Sequence, residues 1–431
     1  MFSLLPLDIL VFELLPLLDV SSKIILRHVL LLTPIPSSIT YDTQVEICQY
    51  PPSYVNWFIS RSLIYTSDIS DFSVIHGNLP LLIWAHSLSF NFSEDLYDLA
   101  AKYGHLHILE FLYLHHFPLT SSTSWFACKY GHFDILKWSY LHGCHLSKDI
   151  CSQAAKNGHL NIIQWLRSKN CPWDSLTFSY AAKFGDLSLL SWLKSNHCPF
   201  DFFTFSYAAK SGDLSVVQWA LSNSLPWNSQ TCSSAASKGH LHILQWLRSH
   251  GCPWDSQTSS FAVSNGNLEL LTWAVQNGCP LNPQLCSTAA RSGNLPILQF
   301  LRSYGCSWGD DVCSNASLGG HLDLLKWSVL NGCPGTGDIC SYAANGGHLS
   351  IIQWAREHNF YWDEDTCKYA AHHGHLHILI WSRLHGCPWD KYTCQFAAQS
   401  GHLHVLKWAR QHHCPWTHAT AEYSELIGYS E

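Results

Sequence analysis

Glycine recurs every 27 residues along most of this 431-residue chain, at Gly77, Gly104, Gly131, Gly158, Gly185, Gly212, Gly239, Gly266, Gly293, Gly320, Gly347, Gly374 and Gly401, with no insertion between them. A period between about 20 and 50 residues marks a stacked array, in which one short unit buries its apolar face only against its neighbours. Length alone would suggest two or three globular domains, and the period overrides that expectation. The fold class it predicts is all-α, a solenoid of stacked helix-turn-helix repeats.

Residues Thr231 to Asp255, "TCSSAASKGHLHILQWLRSHGCPWD", represent one unit. A first helix is expected over Thr231 to Lys238, with Thr231 as N-cap, Ala235 and Ala236 allowing close helix approach, and Gly239 closing it in the left-handed conformation. A second is expected from Leu241 to His250. There Leu241, Ile243, Leu244, Trp246 and Leu247 form the apolar face and His242, Gln245 and Ser249 the wet strip. Gly251 and Pro253 end that helix, and Trp254 is expected to cover the edge of the next unit.

The remaining composition follows from the unit. Of 20 Trp, eleven lie seven residues after a unit glycine and seven lie fifteen after it. The net charge of −7 argues against a general nucleic-acid binder, although local basic patches remain compatible with it. The N-terminal "MFSLLPLDILVFELL" has no basic leader region and places Asp8 and Glu13 inside its apolar run, so neither a secretory signal nor a membrane span is expected. A monomer in the cytoplasm is the expectation, with the nucleus as the alternative.

Nine Cys occupy the loop position (Cys144, Cys171, Cys198, Cys252, Cys279, Cys306, Cys333, Cys387, Cys414) and seven the first helix (Cys151, Cys232, Cys286, Cys313, Cys340, Cys367, Cys394). Five units show C-x6-C, as at Cys279 and Cys286, which raises a zinc or disulfide pairing. Paired ligands should be kept or lost together, yet Cys171 faces Phe178, Cys252 faces Ser259 and Cys232 follows Leu225. Exchange with Phe, Leu and Ser is how a small buried position behaves. Eight of the 28 His directly follow the unit glycine, where turn capping is expected. The densest group, His372, His373, His375 and His377, lacks a carboxylate or second cluster at ligand spacing. No nucleophile elbow, Cys-His dyad, phosphate loop or carboxylate pair stands out from the period, so no enzyme, catalytic residue or cofactor is expected. A zinc- or haem-binding Cys/His repeat protein and a nucleic-acid-binding repeat protein are the alternatives from other classes.

The recurring Ala-Ala pair, Gly-His-Leu turn and following amphipathic helix resemble the ankyrin repeat, with units about six residues shorter than its usual period of 33. The resemblance implies an ankyrin-like array with little or no β-hairpin finger. Similar short units occur in ankyrin-like proteins of large DNA viruses, which would place the chain in a host cytoplasm. Residues 69–416 would hold thirteen units, 41–68 a degenerate leading unit around Trp57, and 417–431 a polar closing half-unit. Residues 1–40 resemble an F-box through Leu5, Pro6, Ile9, Leu10, Leu14 and Leu15, though the usual closing Trp is absent; a helical cap on the array is the alternative. An F-box implies docking on a Skp-type adaptor and cullin of a ubiquitin ligase, with the repeats choosing the substrate.

Recognition is expected at positions that vary between units. Two residues before the glycine stand Lys102, Lys129, Lys156, Lys183 and Lys210, joined one position later by Tyr103, Tyr130 and Phe184. On the ankyrin analogy these line the concave face. They predict a protein partner with an acidic segment, held by ammonium groups and aromatic anchors.

Overall fold

The computed structural model describes residues 66–90, 92–147, 149–334, 337–416 and 423. The F-box-like segment, nearly all of the leading unit and all of the closing half-unit except Tyr423 lie outside them. Among the described residues there are 26 α-helices and no strand, forming thirteen hairpins from Thr66–Ile75 and Leu79–Ser87 to Lys391–Gln399 and Leu403–Gln411. The chain divides into two compact parts, Met1–Phe200 and Asp201–Glu431. Within each part, first helices pack on first helices of adjacent units, as Leu96–Tyr103 does on Ser122–Tyr130 and Ser229–Ser237 on Ser256–Ser264.

The Ala-Ala pair makes that approach possible, and Ala235 and Ala236 are fully buried. On the second helix the buried stripe is narrower than the sequence predicts. Ile243, Leu244 and Leu247 are fully buried, while Leu241 and Trp246 stay partly exposed. Each fully buried aliphatic chain contributes about 1.5–3 kcal/mol.

The first helix begins earlier than expected. It spans Ser229–Ser237, and its N-cap is Asn228, whose side chain accepts from Gln230 N. Thr231 sits at the third helical position, buried, with its hydroxyl accepting from Asn228 N at 3.4 Å. A hydroxyl three residues after an Asn or Asp completes a reciprocal cap, and the same box forms at Asp201 and Thr204. The closing Asp of "GCPWD" and its relatives therefore opens the following hairpin, since Asp174, Asp255, Asp363 and Asp390 each cap the next unit's first helix.

The Trp of that motif is clamped from both sides. Arg248 lies 4.2 Å from the Trp254 ring centroid and donates to the carbonyl of Cys252, while Trp273 of the next unit meets the ring edge at 5.7 Å. Arg167 and Trp173, Arg302 and Trp308, Arg356 and Trp362, Arg383 and Trp389, and Arg410 and Trp416 repeat the stack. A cation over an indole is worth about 0.5–2 kcal/mol, more where water is excluded.

Two glycine positions in each unit demand the left-handed region, but for different reasons. The loop position holds Gly in six units and Ser89, His116, Asn170, His197, Ser224, Asn359 or His413, all at φ near 60°, in the other seven. A Cβ added at the loop glycines Gly143, Gly251, Gly278, Gly305, Gly332 and Gly386 meets nothing within 4 Å. The turn position is Gly in every unit, and where the next unit sets a His ring against it a Cβ collides: at Gly320 it lies 2.5 Å from the His348 ring and at Gly104 2.6 Å from that of His132, whereas at Gly401 it meets nothing within 4 Å. A left-handed alanine costs about 1–2 kcal/mol at either place. Gly320→Ala must also displace an imidazole, so it is expected to lower the midpoint of unfolding followed by circular dichroism more than Gly251→Ala does. Equal losses would contradict the packing role.

Candidate partner-binding face

The residue two before each turn glycine occupies the last turn of the first helix, with its side chain outward and its carbonyl turned to the next unit. At five of these positions that carbonyl is held by the His following the next unit's glycine. His105 Nε2 pairs with Ile75 O at 3.1 Å, His132 with Lys102 O at 3.1 Å, His321 with Arg291 O at 3.2 Å, His348 with Leu318 O at 3.1 Å and His375 with Asn345 O at 3.3 Å. None of these His side chains caps its own helix, contrary to the sequence expectation. Where Asp or Asn stands instead, it does cap: Asp186 accepts from Ser188 N and Asn267 from Leu270 N. In the Asn267 unit the carbonyl is served by Asn265, one residue before the glycine, on Ser237 O at 2.9 Å, and Asn157 likewise donates to Lys129 O at 2.7 Å in a unit that carries His159.

Backbone anchoring thus leaves the side chain at this position free to vary. Lys102, Lys129, Lys156 and Lys183 fall on this row in the first part and Lys210 in the second. Lys102 lies 5.0 Å from the ring centroid of Tyr103, and Lys129 lies 4.9 Å from Trp125 and 5.2 Å from Tyr130. Lys156 is 5.7 Å from Tyr180 of the next unit, and Lys210 is 5.2 Å from Tyr207. Tyr103, Tyr130 and Phe184 are 41, 40 and 53% exposed, large values for rings of this size. Sequence reasoning missed the position five before the glycine, where Phe126, Tyr180, Tyr207, Phe261, Tyr342, Tyr369 and Phe396 recur. One helical turn from the Lys row, it supplies two of the rings that those lysines meet; the period itself was the signal.

The thiols are architectural. Every described Cys is free and buried. Loop thiols donate to a carbonyl 24 residues earlier at the opening of the same unit, Cys252 to Asn228 O at 3.6 Å, Cys279 to Asp255 O at 3.5 Å and Cys414 to Asp390 O at 3.5 Å. The sulfur neighbours are not the C-x6-C pairs but first-helix and loop Cys of one unit, 20 apart, such as Cys232 with Cys252 and Cys367 with Cys387. Burial pushes Cys198 up to about 12 and Cys279 up to about 11, so these thiols stay protonated and unreactive. Among the described residues no three His, Cys, Asp or Glu converge as a metal-holding group. In the His372 group, His372 Nδ1 instead meets Ser400 Oγ at 2.8 Å.

Burial holds His159, His240 and His375 below the ordinary imidazole range. A group with a depressed folded value binds its proton more readily in the unfolded chain, so stability is full above about pH 6.5 and declines as pH falls below it. The thermal midpoint is expected to drop between about pH 7.5 and 5.5 by differential scanning calorimetry. His240→Asn, which installs the residue found at Asn267 and Asn294, should flatten that drop.

Residues 205–248 match the family model described as ankyrin repeats (many copies). No curated protein matches the chain significantly. Among solved structures, the pentatricopeptide repeat protein PPR10 in complex with an 18-nt psaJ RNA element aligns over 96% of this chain and 72% of its own, at 12% identity and a TM-score of 0.38. PPR10 from maize aligns over 92% and 74%, at 14% identity and a TM-score of 0.33. Values this low carry over neither a fold nor a ligand. Among the described residues the chain is an all-helical repeat protein, ankyrin-like in the matched stretch and built from Gly77 to Gly401 on one 27-residue period.

Proposed function

We propose that this protein is a non-enzymatic interaction scaffold whose first part binds an acidic segment of a partner protein through the Lys102, Lys129, Lys156 and Lys183 row and the rings of Tyr103, Tyr130 and Phe184. The observation that carries this reading is a division of labour at Lys102 and Lys129: each carbonyl is tied to the next unit, by His132 and Asn157, while the side chain lies beside partly exposed rings. Of the described ion pairs, Lys137 with Asp134 and Lys368 with Asp365, neither involves the row. Ammonium groups beside exposed rings favour carboxylates flanked by apolar anchors. In the second part the row changes after Lys210 to Ser237, Ser264, Arg291, Leu318, Asn345, His372 and Gln399, so a partner there would meet different chemistry. No described helix is long and apolar enough to cross a membrane.

The test is fluorescence anisotropy with a Glu-rich peptide containing Tyr or Phe, compared with a single-stranded oligonucleotide of equal length. The peptide is expected to bind, and Lys129→Glu with Lys156→Glu and Lys183→Glu to weaken it at least tenfold while changing the unfolding midpoint little. Tight, steeply salt-dependent binding of the oligonucleotide, with none of the peptide, would favour the nucleic-acid alternative, since bases also stack on such rings. The adaptor role extends the proposal to Leu5, Pro6, Ile9, Leu10, Leu14 and Leu15, outside the described residues. Affinity purification of the full chain should recover a Skp-type adaptor and cullin, and a version lacking residues 1–40 should lose both.

A further inference from the structure

Two neighbouring first helices in the second part depart from the pattern. Leu285–Arg291 and Val312–Leu318 have seven residues each, where Ser256–Ser264 and Glu364–His372 have nine. Neither Gln284 nor Asp311 caps its helix with a side-chain bond, and the loop before the second helix reads Ser307-Trp308-Gly309-Asp310-Asp311 in place of Pro-Trp-Asp. The lost opening turns leave a polar cleft of about 600 Å³, walled by Pro283 and Trp308 and carrying Arg291, Asp310, Asp311 and Asn315.

A chain of hydrogen bonds organises it. The Ser287 hydroxyl donates to Asp311 Oδ1, Asn315 Nδ2 donates to Asp311 Oδ2 at 2.9 Å, and Arg291 Nε donates to Asn315 Oδ1 at 3.3 Å. Ser287 and Asn315 are 7 and 8% exposed, so both are built into the wall. In the column of Asn315 the following units carry Tyr342, Tyr369 and Phe396. Gly309 belongs to the same set, because a Cβ there would lie 2.3 Å from Ser287 Oγ. Changes on two helices and a loop that fit one another, with no gain in apolar packing, are what a functional site looks like in an otherwise regular array. The side-chain hydrogen bond described for Arg291 uses Nε and leaves its two terminal nitrogens for the cleft, which exposed Asp310 also lines.

We propose that this cleft binds a small dipolar ligand, a free amino acid or short peptide, with its carboxylate on Arg291 and its ammonium group toward Asp310. The two terminal nitrogens of a guanidinium match a carboxylate in parallel, and Asn315 fixes the plane of the group before the ligand arrives. Asp311 is already satisfied by Ser287 and Asn315 and serves as the buttress, which leaves Asp310 as the counter-charge. Trp308, held by Arg302 at 4.3 Å and Trp327 at 6.0 Å, is a fixed apolar wall for the ligand's body.

Isothermal titration of the full chain tests this with three probes: glycylglycine and L-lysine, which are dipolar, and N-acetylglycine, which offers only the carboxylate. At least one dipolar probe is expected to saturate the protein, and N-acetylglycine to bind at least about tenfold more weakly. Arg291→Gln should abolish binding, and Asp310→Asn should cost the dipolar probe about tenfold. Asp310 is exposed and, among the described residues, unpartnered, so its variant keeps the test decisive even if Arg291→Gln disturbs folding. No saturation by either dipolar probe up to about 10 mM, equal binding of N-acetylglycine, or unchanged affinity in Asp310→Asn would overturn the proposal.

Discussion

The close approach between a turn glycine and the imidazole of the next unit is the contact on which the stacking depends wherever His follows the next glycine, as at Gly293 and Gly374. At Gly293 an added Cβ would lie 2.4 Å from the His321 ring, and at Gly374 2.8 Å from that of His402. A side chain at either position would occupy the space that the ring fills, and both glycines sit in the left-handed region. The spacing between hairpins is thus set by an atom that is missing. Any insertion between two glycines would displace the ring from its carbonyl, which accounts for a period kept without slip over thirteen units.

That anchoring separates stability from recognition within a single residue. Fully buried positions such as Ala100, Ala101, Ile108 and Leu109 repeat with little change, because each fills space between hairpins. The residue two before the glycine gives its carbonyl to the stack and keeps its side chain out of the core. It can therefore be Lys at 102, Arg at 291 and Leu at 318 while the same carbonyl bond is kept. The thiols, by contrast, belong to the stack: the described ones are buried, and loop thiols such as Cys252, Cys279 and Cys414 are aimed at the carbonyls that open their units.

Several departures from local expectation have one origin. Thr231 and Asn228 are both competent caps at a spacing of three, and only the completed helix shows that each serves the other. The imidazole beside the turn could cap its own helix, yet reaches a carbonyl 30 residues back in the preceding unit. Its competitors Asp186 and Asn267, with shorter side chains, stay local. The pairing of Arg248 with Trp254 was legible in principle, since every unit with Arg nine after the glycine also has Trp fifteen after it. The row of rings at Phe126, Tyr180 and Tyr207 was equally open to a column-by-column reading.

The sequence by itself determined the helical hairpin, its length, the left-handed turns and the recurrence that requires stacking, because these follow from contacts within a few residues and from the strict period. The tertiary structure decided which atoms meet at separations of 20, 24 and 30 residues: the Cys232 and Cys252 neighbours, the thiol on Asn228 O and the imidazole on Ile75 O. It also decided that two short helices open a cleft beside Arg291. Local patterns specify how a hairpin closes on itself, but only the distance and rotation between hairpins fix which side chains face across the gap.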